Sequence, residues 1–231
     1  MNFENSILDI ANEFDLKSKN LIFLMTKNNK HISPDQLLSN ILIDNNLNKN
    51  DIASCNQTHS NNVQYINAPK KCKNTDGLVT NIDNGMFLMI QTADCIPIFI
   101  IDEHSGLMGL VHSGWRGTYK NIISNAVSLF IKNGSYNQNI KVYLGPSIKS
   151  CCYEVKDDVS KFFNAKYITK VNNKKYLDLF LKVEDDLVKE GVNKKNILKS
   201  KICTYDNQNY CSYRRDNKYS GRMYSMVGAI Q

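Results

Sequence analysis

This sequence predicts an α+β fold, with mixed β-sheets in a single domain, and three patterns predict it. Short runs that are apolar on both faces occupy most of residues 85–112, the mark of strands covered on both sides. In two later segments apolar residues recur at helical spacing, as on the buried stripe of an amphipathic helix. Strands and helices mix without the strict strand–helix–strand rhythm of a doubly wound parallel sheet. At 231 residues and 42% hydrophobic content, the chain can bury one sizeable core.

The elements follow in order after an Asn-rich N-terminal third. GMFLMIQT (85–92) reads as a strand, IPIFIID (96–102) as a second, EHSG as a turn and LMGLVH (107–112) as a third. Thr118 is the expected N-cap of a helix whose buried face carries Ile122, Ile123, Ala126, Val127 and Phe130, with Gly134 ending it. GWRG (114–117) is then the loop feeding that helix, where backbone N–H groups and the dipole favour an anion and Arg116 adds charge. IKVYLG (140–145) is a strand, DDVSKFF (157–163) a short helix, and LDLFLKVEDDLVKEG (177–191) a longer helix closed by Gly191. ILKSKICTY (197–205) and MYSMVGAI (223–230) are the last strands.

Composition narrows the function. No stretch reaches the roughly 18 apolar residues of a spanning helix, and MNFENSILDIANEFD lacks the basic-then-apolar order of a signal peptide. A cytoplasmic protein with no membrane partner is expected. Seven cysteines, an odd number in a long chain, favour reduced thiols over a disulfide framework. The net charge of +7 is carried by lysines spread along the chain without a basic, aromatic-interleaved run, so no nucleic-acid partner is expected. Of 29 basic residues only four are arginine: Arg116, Arg214, Arg215 and Arg222, each in a Gly- or Tyr-containing segment. Arginine's planar fork grips phosphate or carboxylate at two points, which lysine cannot copy. These four are candidate anion-binding residues; the alternative is a structural ion pair, for instance with Asp216.

One constellation carries chemistry. His59, Cys95 and His112, separated by 36 and 17 residues, fit no local zinc-finger spacing and would have to be assembled by the sheets. As a His–Cys–His set they match a catalytic zinc site with its fourth position open. The same atoms also suit a Cys95 thiolate activated by His112 or His59, and a core cysteine with locally bonded histidines is the bland alternative. On a regular strand Asp94 points to the face opposite Cys95, unless the strand breaks at Pro97. Cys55 with His59 is a weak C-x3-H pair, His31 and His104 read as solvated loop histidines, and adjacent Cys151 and Cys152 are too strained for an ordinary disulfide.

The blocks QTHSNNV, TDGLVT, QTADCIPIFI, VHSGWRGT, LGPSI with CCYEV, and CTYDNQNYCSYRRDNKYSGRMYSMV resemble, in order, those of the YfiH family of purine nucleoside phosphorylases. An older label for that family is multicopper polyphenol oxidase, or laccase-like. The resemblance spans residues 50–231 and leaves 1–49 as a divergent N-terminal part. It implies an α/β/β/α layered sandwich and zinc held by His59, Cys95 and His112. It implies phosphorolysis of adenosine, inosine and methylthioadenosine, together with adenosine deamination, with nucleosides and phosphate as partners; a homodimer is a candidate assembly that the sequence does not decide. Catalytic candidates are Cys95, His112, His59 and Asp94; Asp76, Asp94 or a tyrosine are candidates for the acid that deamination needs. Two further readings stay open: a cysteine-nucleophile amidase that edits peptidoglycan precursors, since the fold is shared with a cysteine-hydrolase class, and a non-catalytic binding protein. Where relatives have Thr-Thr-Arg, this chain has Met-Thr-Lys, so Lys27 stands at the place of an expected anion-binding arginine. The laccase label is rejected as a mechanism, because copper centres lean on histidine ligands and there are four histidines in all.

Overall fold

The structure is a computed structural model that describes residues 7–14, 16, 21–27, 34–44 and 47–229; His31 lies outside them. Along the chain come β1 (Ile7–Asp9), β2 (Leu21–Thr26), helix α1 (Pro34–Asp44), β3 (Ile52–Cys55), β4 (Val63–Tyr65) and β5 (Lys71–Cys72). Then follow β6 (Gly77–Asn81), β7 (Phe87–Thr92), β8 (Ile96–Asp102), β9 (Leu107–Ser113), α2 (Trp115–Tyr119), α3 (Ile122–Lys132) and β10 (Lys141–Leu144). The last part holds β11 (Glu154–Val155), α4 (Asp157–Ser160), β12 (Ile168–Val171), β13 (Lys174–Leu177), α5 (Leu179–Lys189), β14 (Ile197–Lys199), α6 (Tyr213–Asp216) and β15 (Met223–Ala229).

Two six-stranded mixed sheets face each other. One has the order β1-β2-β15-β7-β3-β5 and the other β14-β10-β8-β9-β6-β4; β11, β13 and β12 form a small third sheet. The alternation of side chains along β8 shows how the layers are made. Phe99 and Ile101 join Phe23, Met25, Leu88, Ile90 and Leu110 between the two sheets. Ile98 and Ile100 point the other way, onto Ile123, Val127 and Phe130 of α3 and Val183 and Leu187 of α5. Every residue of β8 and β9 is buried, the physical reason both runs are apolar on both faces. On the far side, Leu38 and Leu42 of α1 cover Phe87, Tyr224 and Met226. The four layers are helix, sheet, sheet, helix, as the resemblance implied.

The expected strands at 85–92, 96–102, 107–112 and 140–145 are β7, β8, β9 and β10, and the expected helices are α3, α4 and α5, although α4 is a single turn. Asp178 caps α5 by accepting the Leu181 N–H at 2.9 Å, and Gly134 and Gly191 follow α3 and α5 at φ 96° and 87°. Two expectations are corrected. Only Ile197–Lys199 of the 197–205 run is strand; beyond it the chain leaves the sheet and meets Ser147 through a lone bridge at Cys203. Thr118 is no N-cap either: GWRG itself turns into α2, and α3 begins after Asn121 in the left-handed region. The Thr118 hydroxyl is buried inside α2, bonding the Gly114 carbonyl at 3.0 Å and Ser113 Oγ at 2.7 Å.

Candidate metal centre and substrate cavity

Cys95 sits where the chain crosses from one sheet to the other. β7 and β8 belong to different sheets, and the corner between them is made by Asp94 at φ 82°, a left-handed conformation that Asp tolerates better than most residues. The strand therefore breaks at Asp94 rather than at Pro97, which stays in β8 paired with His112. The corner is clamped: the Asp94 carboxylate accepts Thr204 Oγ1–H at 2.7 Å and the Arg214 N–H at 2.7 Å, and its carbonyl accepts the Ile148 N–H at 3.0 Å. Asp94 is committed to holding this corner and the C-terminal segment.

His112 lies near the end of β9 and is buried. The register of β6 on β9, with Gly77 opposite Val111, continues outward to set Asp76 against His112. The His112 N–H donates to the Asp76 carbonyl at 2.7 Å, and ring Nδ1 lies 2.8 Å from Asp76 Oδ1. That contact fixes the tautomer with Nδ1–H toward the carboxylate and leaves Nε2 as a donor atom. Asp76 is fully buried and gathers the next loop as well: it accepts N–H groups from His59 at 3.0 Å, Ser60 at 2.7 Å and Thr58 at 3.2 Å, and the Ser60 hydroxyl at 2.6 Å. His59, at φ 56°, is held in this uncommon conformation by those bonds. Asp76, read from sequence only as a candidate acid, is thus the organiser of the site. The one available signal was a carboxylate at the mouth of a buried strand, which needs several donors to be stable there.

The three side chains converge. Cys95 Sγ is 3.9 Å from His59 Nε2, the His59 and His112 rings meet edge to face at 4.8 Å, and one donor atom from each residue lies within 4.8 Å of the others. A tetrahedral zinc with bonds of about 2.1 Å to nitrogen and 2.3 Å to sulfur needs donors about 3.6 Å apart, so the group can hold a metal ion. The charges of the cluster act on one another. Burial pushes the Cys95 thiol up, but His112 and His59 beside it outweigh burial and bring it down to about 6. Burial likewise pushes the His112 imidazole down, and the charges of Cys95 and Asp76 reverse this and raise it to about 9. Asp76 would be raised by burial, yet its bonds from His112 and Ser60 hold it well below the usual carboxylate range.

Both glycines of GWRG are required by close approach. A Cβ on Gly114 would stand 2.9 Å from Cys95 Sγ and 3.0 Å from His59 Cδ2, and one on Gly117 would stand 2.8 Å from the Ser60 carbonyl oxygen. Gly114→Ala is therefore expected to displace two donors and weaken metal binding by roughly tenfold or more, with a stability loss of about 1–3 kcal/mol from overpacking. Competition against a chromophoric chelator, alongside thermal melting, checks this; unaltered metal affinity would show that the donors have room to spare.

The cluster opens onto a cavity of about 850 Å³ whose walls include Trp115, Arg116, Tyr153, Tyr213, Arg214 and Arg222. The Arg116 guanidinium lies over the Trp115 ring at 4.3 Å. Arg214 donates to the Glu154 carbonyl at 2.6 Å and covers Tyr153 at 5.3 Å. Arg222 donates to the Ser220 and Gly221 carbonyls and lies 5.8 Å from the Tyr213 ring. Arg215 is not brought to the cavity. Its guanidinium is taken up by Asp216 at 2.8 and 3.0 Å and by the carbonyls of Thr204, Tyr205 and Tyr210, so the ion-pair alternative holds for this residue and its anion-binding role is corrected. Lys27, just beyond β2, is not among the lining residues either. The GWRG expectation also changes, since α2 is a single five-residue turn and lends little dipole; the arginines, not a long helix, supply the positive charge.

A family model described as "Multi-copper polyphenol oxidoreductase laccase" matches residues 20–230. The chain belongs to this family. Among its relatives, a purine nucleoside phosphorylase of Clostridium acetobutylicum is 34% identical over 188 residues, covering 78% of each chain. An adenosine deaminase from an unknown prokaryote is 29% identical over 196 residues, covering 77% of this chain and 74% of its own. Two solved structures share the fold: the Bacillus licheniformis hypothetical protein YfiH, with TM-score 0.85 at 24% identity over 98% and 97% of the two chains, and YlmD of Geobacillus stearothermophilus, with TM-score 0.83 at 23% identity over 92% and 93%. For this member of the laccase-labelled family, four histidines in the whole sequence, two of them in the cluster, do not furnish ligands for several coppers.

Proposed function

We propose that the protein is a zinc-dependent purine nucleoside enzyme of the cytoplasm. It releases the base of adenosine, inosine and methylthioadenosine to phosphate and also deaminates adenosine. The observation that carries this reading is the convergence of His59, Cys95 and His112 on the edge of an 850 Å³ cavity lined by aromatic rings and arginines, a volume that suits a nucleoside. The names of the relatives, purine nucleoside phosphorylase and adenosine deaminase, point the same way. No described helix is long and apolar enough to cross a membrane.

The residues divide the work. His59, Cys95 and His112 would hold the zinc, which would supply Lewis acidity when bound. Asp76 holds His112 by its Nδ1, which would leave Nε2 to bind the ion. Tyr153 and Tyr213 offer ring surface for the purine, and Arg116 with Arg214 and Arg222 takes the phosphate dianion. Asp76 cannot be the acid of the deamination, because its carboxyl is held ionised by its donors, and Asp94 has both oxygens occupied. Burial pushes the Tyr153 phenol up, so its hydroxyl keeps its proton and is the proposed donor to the leaving amine. Asp94 positions Arg214.

Zinc content and purine release, measured on the same samples with and without phosphate, test the proposal; full turnover by metal-free protein would overturn it. Arg116→Lys is expected to raise the phosphate KM roughly tenfold, because the two-point fork is lost, while the nucleoside KM stays near its original value. An unchanged phosphate KM would remove Arg116 from that role. One observation favours a second reading: Asp76, His112 and Cys95 are linked in the order of a thiol hydrolase triad. Turnover of amide substrates by metal-free protein, abolished by alkylation of Cys95, would select it.

A further inference from the structure

A second donor set lies in two loops that the sequence keeps more than fifty residues apart. Cys151 and Cys152 sit between β10 and β11, while Cys203 and Asp206 follow β14. The loops are tied by the bridge between Ser147 and Cys203 and by the Thr204 N–H, which donates to the Ser147 carbonyl at 3.1 Å. Lys149 Nζ donates across them to the Ser200 carbonyl at 2.7 Å, and Arg215 holds the carbonyls of Thr204 and Tyr205. On this anchored frame Cys152 Sγ is 3.1 Å from Asp206 Oδ1, Cys151 Sγ is 3.6 Å from Asp206 Oδ2, and the two neighbouring sulfurs are 3.3 Å apart. One donor atom from each of Cys151, Cys152, Cys203 and Asp206 lies within 4.8 Å of the other three.

A tetrahedral zinc ion needs sulfurs about 3.8 Å apart and sulfur–oxygen separations of about 3.5 Å. The separations of 3.1, 3.3 and 3.6 Å lie within about half an ångström of those values, and Cys203 lies within 4.8 Å of the other donors. Adjacent cysteines make poor disulfide partners, and a carboxylate beside three sulfurs is a donor set for a cation; the nearby Lys149 ammonium, which feels Cys203 and Cys151, is bonded to the Ser200 carbonyl. We propose that Cys151, Cys152, Cys203 and Asp206 form a second metal site, taking a thiophilic divalent ion of the zinc type through four protein ligands. Each thiol releases its proton to solvent as the ion binds. With four protein ligands the ion is structural, not catalytic. It staples the two loops whose next residues serve the cavity: Thr204, which holds Asp94, and Tyr153, which lines the wall.

Cadmium titration of metal-free full-length protein, followed by thiolate-to-cadmium charge transfer, separates this site from the first. The wild type is expected to take two equivalents, Cys95→Ala one, and Cys95→Ala combined with Cys151→Ser and Cys152→Ser none with a charge-transfer signal. Cys203 is buried, so its substitution can unfold the chain; exposed Asp206→Asn in the Cys95→Ala background supplies the second variant, expected to weaken cadmium at least roughly tenfold with the melting temperature of the metal-free protein unchanged. A Cys95→Ala protein that shows no thiolate-bound cadmium, or one whose equivalent survives loss of Cys151 and Cys152, overturns the proposal.

Discussion

Cys95→Ala is expected to empty the metal centre at the mouth of the cavity and to lower purine release by roughly a hundredfold or more, since deleting a ligand exceeds the 10–100-fold typical of a supporting residue. The sulfur is the one anionic donor of the three, and the two histidines lower its pKa to about 6, so at neutral pH it is a thiolate ready to bind. Without it, only the two imidazoles remain to hold a divalent ion that ordinarily takes three protein ligands. The fold should survive, because the side chain is small and only partly buried at the corner, and the corner itself is held by Asp94. His112→Ala should match the metal and activity losses. Metal analysis beside turnover checks both: a variant that keeps its metal and its rate sinks the zinc mechanism, whereas one that keeps its metal and loses its rate makes Cys95 the reacting group.

Asp76→Asn is expected to cost about 3–5 kcal/mol of stability, the usual penalty for removing one partner of a buried charged network, and 10–100-fold in metal affinity. The carboxylate has only acceptors, and it faces the N–H groups of Thr58, His59 and Ser60, the Ser60 hydroxyl and the His112 ring. An amide would turn an NH2 group toward some of these donors and leave them unsatisfied inside the protein. The pH dependence has a definite sign. Asp76 is held below its unfolded value of 3.8, so its contribution is fully present above that pH and is lost as the pH falls through the folded value. Denaturant midpoints at neutral pH and near pH 2, below the unfolded value of 3.8, check this. The wild type should lose more stability than Asp76→Asn on acidification; parallel curves, with metal affinity intact, would show that Asp76 is not the organiser.

Much of the fold was legible because its signals are local. The two-sided apolar runs of β8 and β9 record burial on both faces, and the helical stripe from Ile122 to Phe130 records one covered face. The stops at Gly134 and Gly191 record backbone groups that must find partners within a few residues. Thr118 misled for the same reason: a hydroxyl ahead of an apolar stripe is a good N-cap only if the chain is not already helical there, and two small glycines let GWRG begin α2 early against the 58–60 loop.

By itself, then, the sequence determined the strands β7 to β10 and β15, the helices α3 and α5, the α+β class and His59, Cys95 and His112 as a candidate donor set, since residue types and short-range periodicity specify these. Only the tertiary structure decided that β7 and β8 part into different sheets at Asp94, that Asp76 organises the site, and that Arg116, Arg214 and Arg222 face the cavity while Arg215 is consumed by Asp216 and three carbonyls. The physical reason is range. Asp76 meets His112 across 36 residues and Asp94 meets Arg214 across 120; such partners are chosen by sheet register and loop closure, which no window of neighbouring residues contains.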